Sequence, residues 1–256
     1  MSDHRLIPLT DLQAEALRLL EDADRQNLTL RLFGGMAVHL RCPSTRKPEL
    51  KRPYGDLDFV TDWASLGSIE DFFKKSGYTA DRTLNTLYGD RRQLYFDEIN
   101  HRQVDILIDT FEMCHQIPLS KRLKIDSLTL PLCELMLTKT QIIEMNRKDV
   151  LDVCALLLDH NLGSTDGDYI NQSILHNLCG DDWGLYTTVS DNVKMIINMV
   201  TSGEITLPPG SKETVIERLN AIFQELQTCP KTTRWKMRSI MGKRIIWYEE
   251  VEEVRR

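Results

Sequence analysis

The chain has 256 residues, of which 41% are hydrophobic and 27% are charged, and its formal net charge is −6 at pH 7. This balance is typical of a globular protein and excludes a disordered chain. The net negative charge disfavours a protein that coats nucleic acid over its whole surface, although a local basic patch is compatible with it. The six cysteines are scattered without a CxxC pair. That spacing excludes a disulfide-stapled domain and favours reduced thiols in a cytoplasmic protein.

No apolar run approaches the ~18 residues that span a bilayer. The N-terminal segment is acidic and amphipathic and lacks the apolar stretch of a secretory signal. We therefore expect neither membrane attachment nor secretion.

The first half of the sequence predicts helices and strands in alternation. Thr10 and Gln13 form a capping box ahead of the first helix, and Ser68 is the predicted N-cap of a short helix over 68–76. Strands are predicted over 28–33, 57–61, 92–96 and 104–108. Gly34 and Gly35 end the first strand and precede the start of a helix.

From residue 131 onward the apolar periodicity is helical. Helices are predicted over 131–145, 148–160, 168–179, 183–202, 211–228 and 231–254. The last of these carries six cations, and its apolar stripe favours packing on the core over contact with RNA. We predict an α/β (α+β) fold, with a small mixed sheet in residues 1–125 and an all-helical domain in residues 126–256.

Three carboxylates are candidate metal ligands. Asp56 and Asp58 are two residues apart in a strand-like run, so both side chains face the same side. Asp105 lies in an apolar run on a predicted neighbouring strand and can join them. Paired carboxylates together with phosphate oxygens are how proteins usually hold Mg²⁺. Two acids at the exposed end of a strand are the ordinary alternative.

Gly34 and Gly35 are candidate phosphate-binding residues. Bare backbone N–H groups at a helix N-terminus allow an anion to approach closely. A tight turn is the ordinary interpretation of two adjacent glycines.

Lys139 falls in the middle of the apolar face of the helix predicted over 131–145. A lysine there must either extend its ammonium group to the surface or meet an anion. Asn146 and Asp149 predict a helix cap, and Asp149 and Asp152 share a helix face. Capping and a solvated face are the ordinary explanation of these two acids.

Taken together, these residues resemble the nucleotidyltransferase superfamily, the polymerase-beta-like fold. The resemblance rests on Gly34-Gly35 at a helix start, Asp56-Leu57-Asp58 in the next strand and Asp105 in a later strand. Lys139, Lys148, Asp149 and Asp152 are similar to the K…(N/R)xKDxxD pattern of the AbiEii-like branch, the toxin nucleotidyltransferases of type IV toxin–antitoxin systems. The resemblance covers roughly residues 28–160.

The resemblance implies a nucleotidyltransferase core that moves NMP from an NTP to an acceptor with release of pyrophosphate. Asp56 and Asp58 are expected to bind two Mg²⁺ ions, and Asp105 to complete the second ion and act as general base. Gly34 and Gly35 are expected to cradle the phosphates. Lys139 is expected to hold nucleotide phosphates, with Lys148, Asp149 and Asp152 organising the nucleotide end of the site.

The acceptor is left open between a tRNA or other nucleic acid and a small hydroxylated molecule. The basic loop 41–52 carries five cations against one acid and favours a nucleic acid. An aminoglycoside- or lincosamide-type antibiotic nucleotidyltransferase is the main alternative. A catalytically silent nucleotidyltransferase-fold binding module is another, and an antitoxin protein is a partner that the resemblance implies.

Overall fold

The computed structural model describes residues 6–250 and shows a mixed α/β protein. The chain divides into two compact units. The sheet unit comprises residues up to 40, 53–111 and 118–130, and the helical unit comprises 41–52, 112–117 and 131 onward. The basic loop 41–52 therefore belongs to the helical unit, although it precedes most of the sheet in sequence.

The sheet unit is built on five strands: β1 (Leu30–Phe33), β2 (Leu57–Thr61), β3 (Thr79–Ala80), β4 (Arg92–Asp97) and β5 (Arg102–Ile108). Their order across the sheet is β1-β2-β5-β4-β3. Strands β2 and β5 are parallel, and the other neighbouring pairs are antiparallel. The predicted small mixed sheet is confirmed.

Four helices accompany this sheet: α1 (Leu12–Arg25), α2 (Gly34–Arg41), α3 (Trp63–Lys75) and α4 (Arg82–Tyr88). The buried core combines strand residues such as Phe59 and Ile106 with an aromatic group in which Phe73 and Tyr95 stack at 4.7 Å between ring centroids. Because the strands bury one apolar side chain after another, the polar side chains on them are confined to a few positions.

Two predicted helix starts in this unit are wrong. Asp11, not Thr10, caps α1, because its carboxylate accepts the N–H of Ala14. Asp62, not Ser68, caps α3 by accepting the N–H of Ser65, so this helix begins five residues before the predicted one. The helix runs through Gly67, beside whose Cα the space is open.

Two short strands follow, β6 (Thr110–Glu112) and β7 (Gln116–Pro118). The helical unit then contains α5 (Leu132–Thr140), α6 (Arg147–Asp159), α7 (Gln172–Asp181), α8 (Trp183–Ser202), α9 (Lys212–Thr228) and α10 (Thr233–Met241). A two-stranded parallel ribbon, β8 (Asn161–Gly163) and β9 (Tyr169–Asn171), connects α6 to α7. The second domain is thus mainly, but not entirely, helical.

Helix α8 has the bounds that the sequence predicts, whereas α5 and α10 are shorter. Helix α5 ends at Thr140 because the side-chain amide of Asn192 donates to the carbonyls of Thr140 and Ile142. Helix α10 ends at Met241, and the next residue, Gly242, has a positive φ of 55°. The prediction of a core-packing helix is wrong, since no residue of α10 is buried. The predicted residues 251–254 lie outside the described residues.

Within residues 6–250, no helix is both long enough and apolar enough to cross a membrane. All six cysteines are buried and free of disulfide bonds, as the sequence predicts.

Candidate functional site

The candidate site in the sheet unit is organised by the register of β2 against its two neighbours. Asp58 is the register partner of Asp105 on the parallel strand β5 and of Phe33 on the antiparallel strand β1. Register partners on neighbouring strands face the same side of a sheet. The structure therefore brings Asp58 and Asp105 together on one face, as predicted.

Gly34 packs directly against the Asp58 carboxylate. A Cβ atom at Gly34 would lie 2.1 Å from Oδ2 of Asp58, and Gly34 has a φ of +70°. Both the contact and the backbone conformation exclude any other residue type without strain. Helix α2 begins at this glycine, so the predicted helix start at Gly34-Gly35 is confirmed. Its first backbone N–H groups are therefore next to a fixed carboxylate.

Asp56 precedes β2 and is half-buried. Its approach to the other two acids stays a prediction. Among the described residues, no group of three or more His, Cys, Asp or Glu side chains is arranged to hold a metal ion.

Arg92 is the residue of this site that sequence reasoning missed. Its Nε lies 2.8 Å from Oδ1 and 3.1 Å from Oδ2 of Asp105, and its Nη2 also donates to Oδ2. The hydrogen bonds to Asp105 raise the pKa of Arg92 in spite of burial, and the negative charges of Asp105 and Asp58 add to that rise. The only signal in the sequence is that Arg92 begins a strand predicted to neighbour 104–108.

The donor set of this site fits Mg²⁺. This ion usually takes one or two carboxylates from the protein and completes its shell with substrate phosphates and water. Asp58 and Asp105 supply two carboxylates on adjacent strands that face one side of the sheet. The guanidinium of Arg92 pairs with Asp105, so a metal ion bound there would have to compete with Arg92 for that carboxylate.

The second group of predicted residues forms an ion-pair network in the helical unit. Nζ of Lys139 lies 3.1 Å from Oδ1 of Asp149 and 3.0 Å from Oδ2 of Asp152. Burial alone would lower the pKa of Lys139, but the charges of Asp152 and Asp149 outweigh it and raise the pKa. Of the two sequence-based alternatives for Lys139, the one in which it meets an anion is confirmed, and the anions are the protein's own carboxylates.

Arg52 completes this network and was interpreted from the sequence as part of a basic loop. Its Nε and Nη2 donate to the two carboxylate oxygens of Asp152 at 2.8 and 2.7 Å. The side chains of Arg52 and Asp152 are only 10% and 2% exposed. Asp152 is therefore not on a solvated face, because two cations hold it in the interior.

Asp149 has the capping role that the sequence predicts. The Asn146 side chain accepts the N–H groups of Lys148 and Asp149, while the Asp149 carboxylate accepts the N–H of Asn146. Lys148 lies in the first turn of α6 and is exposed. The assignment of Lys139, Lys148, Asp149 and Asp152 to nucleotide binding stays a prediction from the resemblance.

The basic loop is partly used in internal contacts. Besides Arg52, Arg41 donates to the carbonyl of Gly167 at 3.1 Å and lies 3.8 Å from Asp168. The remaining three cations of the loop are exposed: Arg46, Lys47 and Lys51. Three cations of the loop, rather than five, are therefore exposed for contact with a polyanion.

A scan against protein-family models and a search of curated proteins found no match to this chain. The functional interpretation consequently depends on the geometry of the site and on the motif resemblance.

Proposed function

We propose that this protein is a Mg²⁺-dependent nucleotidyltransferase that moves NMP from an NTP to an acceptor hydroxyl. The observation that carries the proposal is Asp58, which is in register with Asp105 and packed against the glycine that begins α2. Two carboxylates beside a helix N-terminus supply metal ligands and phosphate-binding N–H groups in one place. This combination supports a polymerase-beta-like core in the sheet unit.

In the proposed reaction, the acceptor oxygen forms a bond to the α-phosphorus of the NTP. The bond from that phosphorus to the bridging oxygen breaks, and pyrophosphate leaves with the electron pair. Asp56, Asp58 and Asp105 would hold the metal, and a carboxylate oxygen of Asp105 would accept the acceptor's proton. Bound Mg²⁺ would neutralise the triphosphate and lower the pKa of the attacking hydroxyl. The N–H groups of Gly34 and Gly35 orient the phosphates.

For the acceptor we propose a nucleic acid such as a tRNA. The support is the three exposed cations of the loop 41–52, since contacts to phosphates are made mainly by lysine and arginine. A small hydroxylated acceptor is the outcome to be tested against it.

One observation favours a second candidate, a catalytically silent binding module. Arg92 already neutralises Asp105, so the acid in the strand has a structural use without any metal. A single assay separates the two candidates, because only the enzyme transfers the α-phosphate of an NTP to an acceptor.

The test is incubation with each α-labelled NTP and Mg²⁺, together with either total tRNA or a panel of aminoglycosides. We expect label transfer to tRNA, abolished by Asp58→Asn and unaffected by Asp71→Asn, which changes an exposed acid of α3. Transfer to an aminoglycoside would contradict the nucleic-acid acceptor. Absence of transfer to every acceptor would favour the silent module.

A further inference from the structure

Helix α10 and the residues after it expose an unusually apolar surface. Met237, Ile240 and Met241 are three and four residues apart, so they share one face of the helix. Ile240 is 81% exposed, and Ile245 and Ile246 extend the same segment. We call these five residues the α10 face: Met237, Ile240, Met241, Ile245 and Ile246. Scattered exposed apolar residues are ordinary, but five within ten residues form a patch.

The α10 face is held in place without using its own apolar side chains. Arg238 donates to the carbonyls of Gly242, Ile245 and Ile246, and its guanidinium lies 4.7 Å from the ring centroid of Trp183. Trp235, on another side of the helix, packs edge-on against Tyr186. The face is therefore fixed before any partner arrives, which lowers the entropic cost of binding.

The same segment concentrates positive charge. Residues 231–247 contain six Lys and Arg residues and no Asp or Glu. Since the whole chain carries −6, the remainder carries −12. Lys236 and Arg244 are exposed. Arg234 forms an exposed ion pair with Asp181, and Lys243 forms one with Asp191. Acids also lie beside the segment, with Asp181, Asp182 and Glu249 in the lining of an adjoining cavity, so the positive charge open to a ligand is that of Lys236 and Arg244.

A cavity of about 880 Å³ adjoins the α10 face. Three residues of the face line it, together with the aromatic side chains of Trp183, Trp247 and Tyr248. Its volume is within the range of pockets that enclose a small ligand, and it is ample for one large anchoring side chain to enter. The face therefore ends in a concave site that combines aromatic and apolar side chains with the charged residues Asp181, Asp182 and Glu249, and it is not flat.

We propose that the α10 face and its cavity are the docking site of an acidic amphipathic segment of another protein. The partner's carboxylates would meet Lys236 and Arg244, its apolar side chains would cover the α10 face, and one large side chain would enter the cavity. The docking proposal does not depend on the proposed nucleotidyltransferase activity.

The other occupants fit less well. Two copies related by a two-fold axis over this face would bring Lys236 and Arg244 of one copy near those of the other. A bilayer surface offers no defined side chain for the cavity. An RNA gains nothing from covering an isoleucine that is 81% exposed.

The experiment is selection of a random 16-residue peptide library, displayed on phage, against the immobilised full chain. Enriched peptides are then synthesised and titrated while tryptophan emission is followed, because Trp183 and Trp247 line the cavity. We expect enrichment of peptides that combine Asp or Glu with Leu, Phe or Trp. Met237→Ser/Ile240→Ser and Lys236→Glu/Arg244→Glu should each weaken their binding at least tenfold. Leu87→Ser, an equally exposed apolar position in α4, should leave it unchanged.

The proposal is overturned if no peptide is enriched, if the enriched peptides are not acidic, or if the variants of the face bind them normally. It is also overturned if the same variants abolish binding to total tRNA or to vesicles containing 30% phosphatidylserine. Loss of a dimer in sedimentation experiments on these variants would assign the face to self-association instead.

Discussion

At the scale of single residues, Gly34 shows how one missing side chain determines the geometry of the candidate site. Gly34→Ala would place a methyl group 2.1 Å from the Asp58 carboxylate at a φ of +70°. We expect this variant to lose at least about 1–2 kcal/mol of unfolding free energy from backbone strain alone. Urea denaturation measures the loss.

Gly67→Ala is the matched control for this substitution. Gly67 lies in α3 with open space beside it, so alanine there should stabilise the protein by about 0.5–1 kcal/mol. If Gly34→Ala were as stable as the wild type, Asp58 would be able to move away from residue 34 at no cost in free energy.

Arg92 provides a prediction about metal affinity. Arg92→Met removes the cation that holds Asp105, so this carboxylate loses its ion-pair partner in metal-free buffer. We expect a lower melting temperature without metal. Mn²⁺ binding, followed by loss of the free-ion signal in electron paramagnetic resonance, should tighten, because a metal ion no longer has to displace the guanidinium from Asp105.

Arg82→Met is the control, because Arg82 is an exposed cation of the same unit. If Mn²⁺ affinity is the same in the wild type and in Arg92→Met, Arg92 does not compete with a metal ion and Asp105 is a structural acid.

At the scale of whole elements, the Lys139–Asp149–Asp152–Arg52 network ties α5, α6 and the loop 41–52 together. Asp152→Asn leaves two cations buried beside a single carboxylate. Since breaking a buried ion pair from one side is far costlier than losing an exposed one, we expect a loss of about 3–5 kcal/mol in chemical denaturation.

Asp191→Asn is the comparison, because Asp191 pairs with Lys243 at the surface, with both side chains about half exposed. Its loss should stay below about 1 kcal/mol. Equal losses in the two variants would mean that the buried network contributes no more than a surface pair.

The elements themselves were predictable where burial decides them. Leu57–Thr61 and Trp183–Ser202 have the predicted bounds. A short run of buried side chains favours a strand, and a long apolar stripe favours a helix. Helix starts depend on which of several polar side chains reaches a free N–H, and Asp11 and Asp62 do so where Thr10 and Ser68 were expected.

Of the residues in the site, only the acids could be predicted from the sequence. Residue spacing places Asp56 and Asp58 on one face of a strand, since side chains alternate between faces, and the apolar run around Asp105 predicts a second strand that carries an acid. The partners Arg92 and Arg52 reach their carboxylates across strand register and a long loop, 13 and 100 residues away. No local pattern carries that information.

At the scale of the whole molecule, charge is distributed unevenly, and this governs the acceptor prediction. If Arg46, Lys47 and Lys51 contact a single-stranded acceptor end, the logarithm of its binding constant should fall with the logarithm of salt concentration by about 0.7 per contact. Three contacts give a slope of about −2, which is roughly a twentyfold loss over a fourfold increase in NaCl.

The measurement is the Kd of tRNA against NaCl at saturating NTP and Mg²⁺. Arg46→Ala/Lys47→Ala/Lys51→Ala should flatten the slope almost completely. The control variant is Lys74→Ala/Lys75→Ala/Arg82→Ala, which removes three exposed cations outside the loop. It should leave the slope unchanged. A slope that the loop variant leaves unchanged would exclude the loop from acceptor binding.

The distribution of cysteines between the two units has an experimental consequence. All six are buried, and all six belong to the helical unit. A thiol-alkylating reagent therefore reports when the helical unit opens and is blind to the sheet unit. Mass spectrometry of partly labelled protein would distinguish molecules carrying zero or six labels from molecules with intermediate numbers. The first pattern means that the helical unit opens in one cooperative step, and the second means that it opens in segments.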